Sequence, residues 1–196
     1  MAEFASVLTK LAAGLIAILI RATWPSLNER MKVGSKMFSK EQDQAFLRAA
    51  IEVSRKSVEN GNHPFGCVLV NETGQIVLES QNNYKTDNRL GHAEANLARM
   101  AAVQFAEDYL RGCTMYTTVE PCCMCAGTAY WAGLGAVVFG VTEARLGELT
   151  GSHPENLTMD LPCRTVFSAG RRPVEVRGPF SELETEILKV HEGFWT

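Results

Sequence analysis

The chain has 196 residues and a mass of 21.5 kDa, with 46% hydrophobic and 21% charged residues. Those proportions exclude general disorder and collagen-like architecture, and the length suits one compact domain with room for an appendage. Charge is unevenly placed: residues 1–40 carry Lys10, Arg21, Arg30, Lys32, Lys36 and Lys40 against Glu3 and Glu29, while the remainder holds 13 basic and 20 acidic residues, a net −7. An acidic body is poorly matched to a polyanion, whose phosphates need clustered Lys and Arg, so a nucleic acid is not the expected partner.

Leu11 to Ile20 is the most apolar run of the chain. Ten residues are too few to span a bilayer, which takes about 20. The opening Met-Ala-Glu and the stretch Arg21-Ala22-Thr23-Trp24 make a poor signal peptide. Residues 1–37 are therefore read as an extension outside the fold and 38–196 as the working domain. Membrane contact by residues 4–20 is the less favoured alternative.

Ser39-Lys40-Glu41-Gln42 has the form of a capping box, and Phe46, Leu47, Ala50, Ile51 and Val58 follow at helical spacing up to a stop at Gly61. Gly66–Val70 reads as a buried strand, Asn71–Gly74 as a turn and Gln75–Leu78 as the returning strand of a hairpin. His92–Phe105 has a helical pattern. Cys113–Val119 is β-rich, and Pro121 opens a helix to about Ala132, where a first-turn proline loses no needed N–H. Gly135–Val141 is a buried strand, Arg164–Phe167 and Val174–Val176 are short candidate strands, and Ser181–Val190 is a closing helix. This order predicts one α/β domain, a mixed sheet with helices on both faces.

Two clusters carry chemistry, His92-Ala93-Glu94 and Pro121-Cys122-Cys123-Met124-Cys125. Cys122 and Cys125 are three residues apart and share a helix face, where the helix amino terminus favours thiolates. With His92 they make an N/S set for one zinc ion per chain, and three protein ligands leave a position open, the mark of a catalytic site. Glu94 stands close enough to take a proton from water activated there. A structural zinc site in an interaction module would need a fourth ligand, and Cys123 points about 100° away from Cys122 around the helix, toward the core or a second shell. Cys67, Cys113 and Cys163 sit singly in apolar stretches and read as buried small hydrophobes, so a reducing, cytoplasmic setting is expected.

His-x-Glu followed by Pro-Cys-x-x-Cys is a signature of zinc nucleobase deaminases. Over residues 40–145 the chain resembles the cytidine deaminase superfamily. Pro64-Phe65-Gly66, Tyr116–Cys122 and Ala129-Tyr130-Trp131-Ala132 are most similar to its branch of guanine, nucleoside and tRNA-adenosine deaminases. The resemblance implies a three-layer α/β/α sandwich around a five-stranded mixed sheet, hydrolytic loss of an exocyclic amine as ammonia, and a homodimer. It matches His92, Cys122 and Cys125 to the zinc ligands and Glu94 to the proton shuttle. It also implies a base-holding asparagine before the histidine (Asn82 or Asn83, with Asn82 preferred), backbone groups near Ala93, Glu120 and Pro121, and Phe65 and Trp131 as stacking or wall residues.

The chain departs from that branch in Thr86-Asp87-Asn88-Arg89-Leu90-Gly91 before His92, where the branch carries Asp-Pro-Thr-Ala, and in its ending, His191-Glu192-Gly193-Phe194-Trp195-Thr196. The expected substrate is a small heterocycle, guanine-like aminopurine first, with cytosine or cytidine and tRNA adenosine as alternatives. His63 is read as a solvated loop residue ahead of a pocket-lining one, and His153 as a loop residue. Arg171-Arg172 is read as a solvated turn. Phe194 and Trp195 are read as packing on the sheet, ahead of forming a lid.

Overall fold

The computed structural model describes residues 37–151 and 153–195. The apolar run at residues 4–20 lies outside them. The first helix, α1 (Lys40–Glu59), starts at Ser39 with a complete capping box: the Ser39 side chain accepts from Gln42 N–H, and Gln42 accepts from Ser39 N–H. It ends at Asn60, before Gly61 turns the chain at φ +72°.

Five strands follow in the chain: β1 (Gly66–Val70), β2 (Ile76–Gln81), β3 (Thr114–Val119), β4 (Ala136–Val141) and β5 (Glu175–Arg177). They form one mixed sheet in the order β2-β1-β3-β4-β5. β1 runs antiparallel to both β2 and β3, while β3, β4 and β5 are parallel. The short helices α2 (Tyr84–Asp87) and α4 (Glu107–Leu110) flank α3 (Ala93–Gln104). Beyond β3 come α5 (Cys123–Ala132), α6 (Glu143–Thr150), α7 (Cys163–Ser168) and α8 (Glu184–His191).

Both faces of the sheet are covered, which explains why its central strands read as continuous apolar runs. Cys67, Leu69, Met115, Val137 and Phe139 point to the layer of α3, α5 and α7. Val68, Val70, Tyr116 and Val138, their neighbours in the pleat, point to the layer of α1 and α8. This is the expected α/β/α sandwich. Cys67, Cys113 and Cys163 are fully buried in the first of these layers. Gly66 lets α1 lie directly on β1, because a Cβ there would fall 2.3 Å from Ser54 N. Asp43 of α1 ties the second layer to the sheet: it accepts from Tyr116 Oη (2.6 Å) and from the Arg177 guanidinium (2.9 and 3.0 Å).

Several predicted elements are corrected. Residues 164–167 are helical, not a strand: within α7, Cys163 and Phe167 lie four residues apart on one buried face, and that packing overrides the β propensity of Thr165 and Val166. Pro121 precedes the N-cap, Cys122, and does not occupy the first turn. The closing helix begins with a 3₁₀ turn at Ser181–Leu183. Helix α6 is not among the expected elements; Thr142 caps it by accepting from Arg145 N–H (3.1 Å). Arg172 is not solvated: its guanidinium donates to the carbonyls of Leu134 (2.6 Å) and Tyr130 at the end of α5. Among the described residues no helix is long and apolar enough to cross a membrane.

Candidate metal centre and cavity

The chain segments that enter and leave one end of the sheet converge on a cavity. They comprise the turn before β1, the turn after β2, and the segments after β3 and β4. The carboxyl ends of parallel strands are where open α/β sheets place ligands. The cavity has a volume of about 250 Å³.

His92 is the N-cap of α3 and Cys122 the N-cap of α5, so two packed helices aim their amino ends at one point. His92 Nδ1 lies 3.5 Å from Cys122 Sγ and 3.4 Å from Cys125 Sγ. All three donor atoms fall within 4.8 Å of one another. A tetrahedral site with zinc bonds near 2.0 Å to nitrogen and 2.3 Å to sulfur has edges of about 3.5 Å, so the spacing fits zinc. The donor set, one imidazole and two thiols, is also what zinc selects.

The electrostatics agree. The thiol of Cys125 donates to Cys122, and with His92 beside it this draws Cys122 down to about 4 despite burial. Cys125, as the donor, is held well above the ordinary thiol range, though Ala95 N–H points at its sulfur. Cys122 in turn raises His92. The pair thus favours ionisation at one sulfur, and a divalent cation is the partner that ionises both.

Glu94 lies in the first turn of α3, 5% exposed, and accepts from Thr117 Oγ1 at 2.6 Å. Burial pushes its carboxyl up, against the pull of Thr117 and His92. Both it and His92 line the cavity.

Of the residues expected to hold a substrate, Asn82 and Phe65 line the cavity. Asn82 is 2% exposed, and its Oδ1 is occupied by Tyr84 N–H (2.8 Å), which leaves the amide NH₂ as its available donor. Ala93 is fully buried in the core layer and contributes nothing to the lining beyond its place between His92 and Glu94. Trp131 is a correction: it is 86% exposed and lies outside the cavity lining, because it sits two turns beyond Met124, about 10 Å further along α5 from the end that meets the cavity. Cys123 is another. Its thiol faces the cavity instead of the core, 3.4 Å from Met159 Sδ.

His63 is not solvated. It is 5% exposed, lines the cavity, stacks on Tyr84 at 4.1 Å and meets Glu155 through Nε2 at 2.9 Å. Burial lowers it, with Glu155 acting in opposition. Phe194 and Trp195 neither lid the cavity nor lie on the sheet; they pack edge-on against His63 (5.6 and 5.1 Å), behind the wall. His153 does lie in a loop, where its Nδ1 accepts from Glu155 N–H (3.3 Å).

Sequence reasoning missed the outer wall, Pro154 to Met159, and the acidic residues Glu143 and Glu155. Pro154 to Met159 has no periodic signal, whereas Thr142-Glu143 carried a readable one, a capping residue followed by an acid in the first turn.

Residues 40–141 match the family model of the cytidine and deoxycytidylate deaminase zinc-binding region. A probable cytosine deaminase of Schizosaccharomyces pombe is 34% identical over 155 residues, covering 79% of this chain and 93% of that protein. The tRNA-specific adenosine deaminase of Bacillus subtilis is 36% identical over 107 residues, 54% of this chain and 66% of that one. Among solved structures, the guanine deaminase of Nitrosomonas europaea superposes with a TM-score of 0.56 at 16% identity, over 85% of this chain and 92% of that one, a likeness of fold.

Proposed function

The chain belongs to the cytidine and deoxycytidylate deaminase family as a zinc-dependent hydrolytic deaminase, and from that footing we propose that its substrate is a free nucleobase or a heterocycle of similar size. The observation that carries this reading is the cavity itself. It is about 250 Å³, walled by residues 154–159, and lined by the carboxylates of Glu94, Glu120, Glu143 and Glu155 against the single guanidinium of Arg89. Such a lining suits a small neutral ring and repels a phosphate backbone.

In the proposed reaction His92, Cys122 and Cys125 hold the metal. Zinc bound there supplies the Lewis acidity that makes water a nucleophile near neutral pH. Glu94 takes one proton from the attacking water and delivers it to the ring nitrogen; it then takes the second, from the hydroxyl now bonded to carbon, and delivers it to the amine, so that the C–N bond breaks and ammonia leaves as the carbonyl forms. Asn82 donates its amide NH₂ to a carbonyl of the ring, and Phe65 forms the wall beside it.

The sequence case for a guanine-like purine rested on Pro64-Phe65-Gly66 and on Tyr130-Trp131, and Trp131 now stands outside the cavity. The near full-length similarity to a cytosine deaminase supports placing cytosine first and guanine second. Ammonia release from cytosine, cytidine, guanine, guanosine, adenine and tRNA tests this. Turnover of one free base with little of its nucleoside supports the reading, and turnover of tRNA alone overturns it.

We also propose that the deaminase domain comprises residues 38–196, and that it works as a homodimer in a reducing, cytoplasmic setting. Phe38 packs at 5.3 Å on Phe46 at the start of the fold. All six cysteines are free. Helix α5 carries no charged residue, and Trp131 on it and Val103 on α3 are 86% and 88% exposed, which suits a covered surface. Sedimentation of Trp131→Glu beside the parent chain tests the dimer: monomers in the variant alone support it.

A further inference from the structure

Four carboxylates line the cavity, and three have evident partners. Glu94 accepts from Thr117 Oγ1. Glu120 accepts from Cys163 N–H (3.0 Å) and Glu143 N–H (3.4 Å), so it holds α7 and α6 in place. Glu155 pairs with His63. Glu143 differs. It is half-buried at the start of α6, with Thr158 of the outer wall as its side-chain hydrogen-bond partner and no cation paired with it among the described residues.

A carboxylate withdrawn from water without a matching set of donors is costly to keep, and it persists where a ligand supplies the missing donor. We propose that Glu143 is a specificity residue: it accepts a hydrogen bond from a ring or exocyclic N–H of the heterocycle, so the site prefers rings that present such a donor on the edge facing α6. This rests on the reading of the cavity as a nucleobase site. It complements Asn82, which offers a donor where Glu143 offers an acceptor, and the two together read opposite hydrogen-bonding groups on one small ring. Burial, with the nearby negative groups Cys122 and Glu94, pushes Glu143 up to about 7, the behaviour of a carboxyl that lacks its partner.

Two readouts on zinc-loaded protein test the assignment. The first needs no substrate. Glu143→Gln keeps the shape and the bond to Thr158 but removes the unpaired charge, so it is expected to melt at or above the parent temperature; melting several degrees lower would make Glu143 a structural anchor and overturn the proposal. The second is a cycle between protein and ligand, comparing cytosine with 1-methylcytosine and guanine with 1-methylguanine and 9-methylguanine. Glu143→Gln is expected to lower kcat/KM on the unmethylated base by about 10- to 100-fold, and methylation of the contacted nitrogen should then cost the variant little more. Losses that multiply independently at every nitrogen would overturn it. If the parent turns over none of these bases, the nucleobase reading fails, and the melting comparison still decides the role of Glu143.

Discussion

Thr117 Oγ1 donates to Glu94 Oε1 across 2.6 Å, from the middle of a strand into the metal cavity. Thr117 is fully enclosed, so this hydroxyl has no competing water and fixes one carboxyl oxygen of the proposed proton shuttle. The other oxygen is left to work.

Thr117→Val, of nearly equal volume, should therefore lower kcat by about tenfold while KM and zinc content hold, since Thr117 touches neither ring nor metal. Steady-state kinetics beside a zinc assay check this. A change confined to KM would mean that Thr117 does not position Glu94.

Two neighbouring cysteines, Cys125 and Cys123, should separate cleanly. Cys125→Ser is expected to reduce zinc well below one per chain and to lower the melting temperature, because metal binding contributes to folding. Cys123→Ser should keep about one zinc, as its thiol faces Met159 and not His92. Metal analysis after gel filtration reads both variants.

Asp43 carries a different load. At 3% exposure it takes one hydrogen bond from Tyr116 and two from Arg177. Asp43→Ala strands a partly buried guanidinium and a buried phenol, and should cost about 3 kcal/mol in urea unfolding, the lower end of the range for such losses because Glu175 keeps hold of Arg177. A loss below about 1 kcal/mol would show that the network contributes little.

His191 makes the acid side of stability predictable. Burial lowers it to about 4, and its Nδ1 accepts from Trp195 Nε1 at 3.2 Å, so the folded chain holds it neutral. The unfolded chain takes up that proton below the usual pKa of about 6.5 while the folded chain does not until about 4. Stability from this group is thus full above pH 6.5 and declines toward pH 4 by about 1.4 kcal/mol per unit. Chemical denaturation of His191→Gln across that window should give a flatter curve than the parent; identical slopes would contradict the neutral, buried assignment.

Local chemistry was legible wherever it has a short-range signature. The capping box at Ser39, the apolar run of β1, and the motifs His92-x-Glu94 and Cys122-x-x-Cys125 each depend on neighbours a few residues apart. What escaped depends on contacts distant in sequence. Helix α7 forms because Cys163 and Phe167 fill the space beside α5, and Trp131 lies outside the cavity because two turns of α5 separate it from the end that meets the site. His63 reads as solvated because its partner, Glu155, lies 92 positions away. The outer wall at residues 154–159 has no periodicity to read, yet with Glu143 it completes the lining of the cavity.

In the proposed reaction Glu94 moves the proton while His92, Cys122 and Cys125 hold the metal. The most direct test is ammonia release by zinc-loaded Glu94→Gln, assayed beside the parent chain on the base the parent turns over, with zinc counted in both. The predicted result is a loss of 100-fold or more, roughly the scale of general acid–base catalysis, at unchanged zinc content. Activity retained within about tenfold of the parent at full zinc would contradict the role of Glu94.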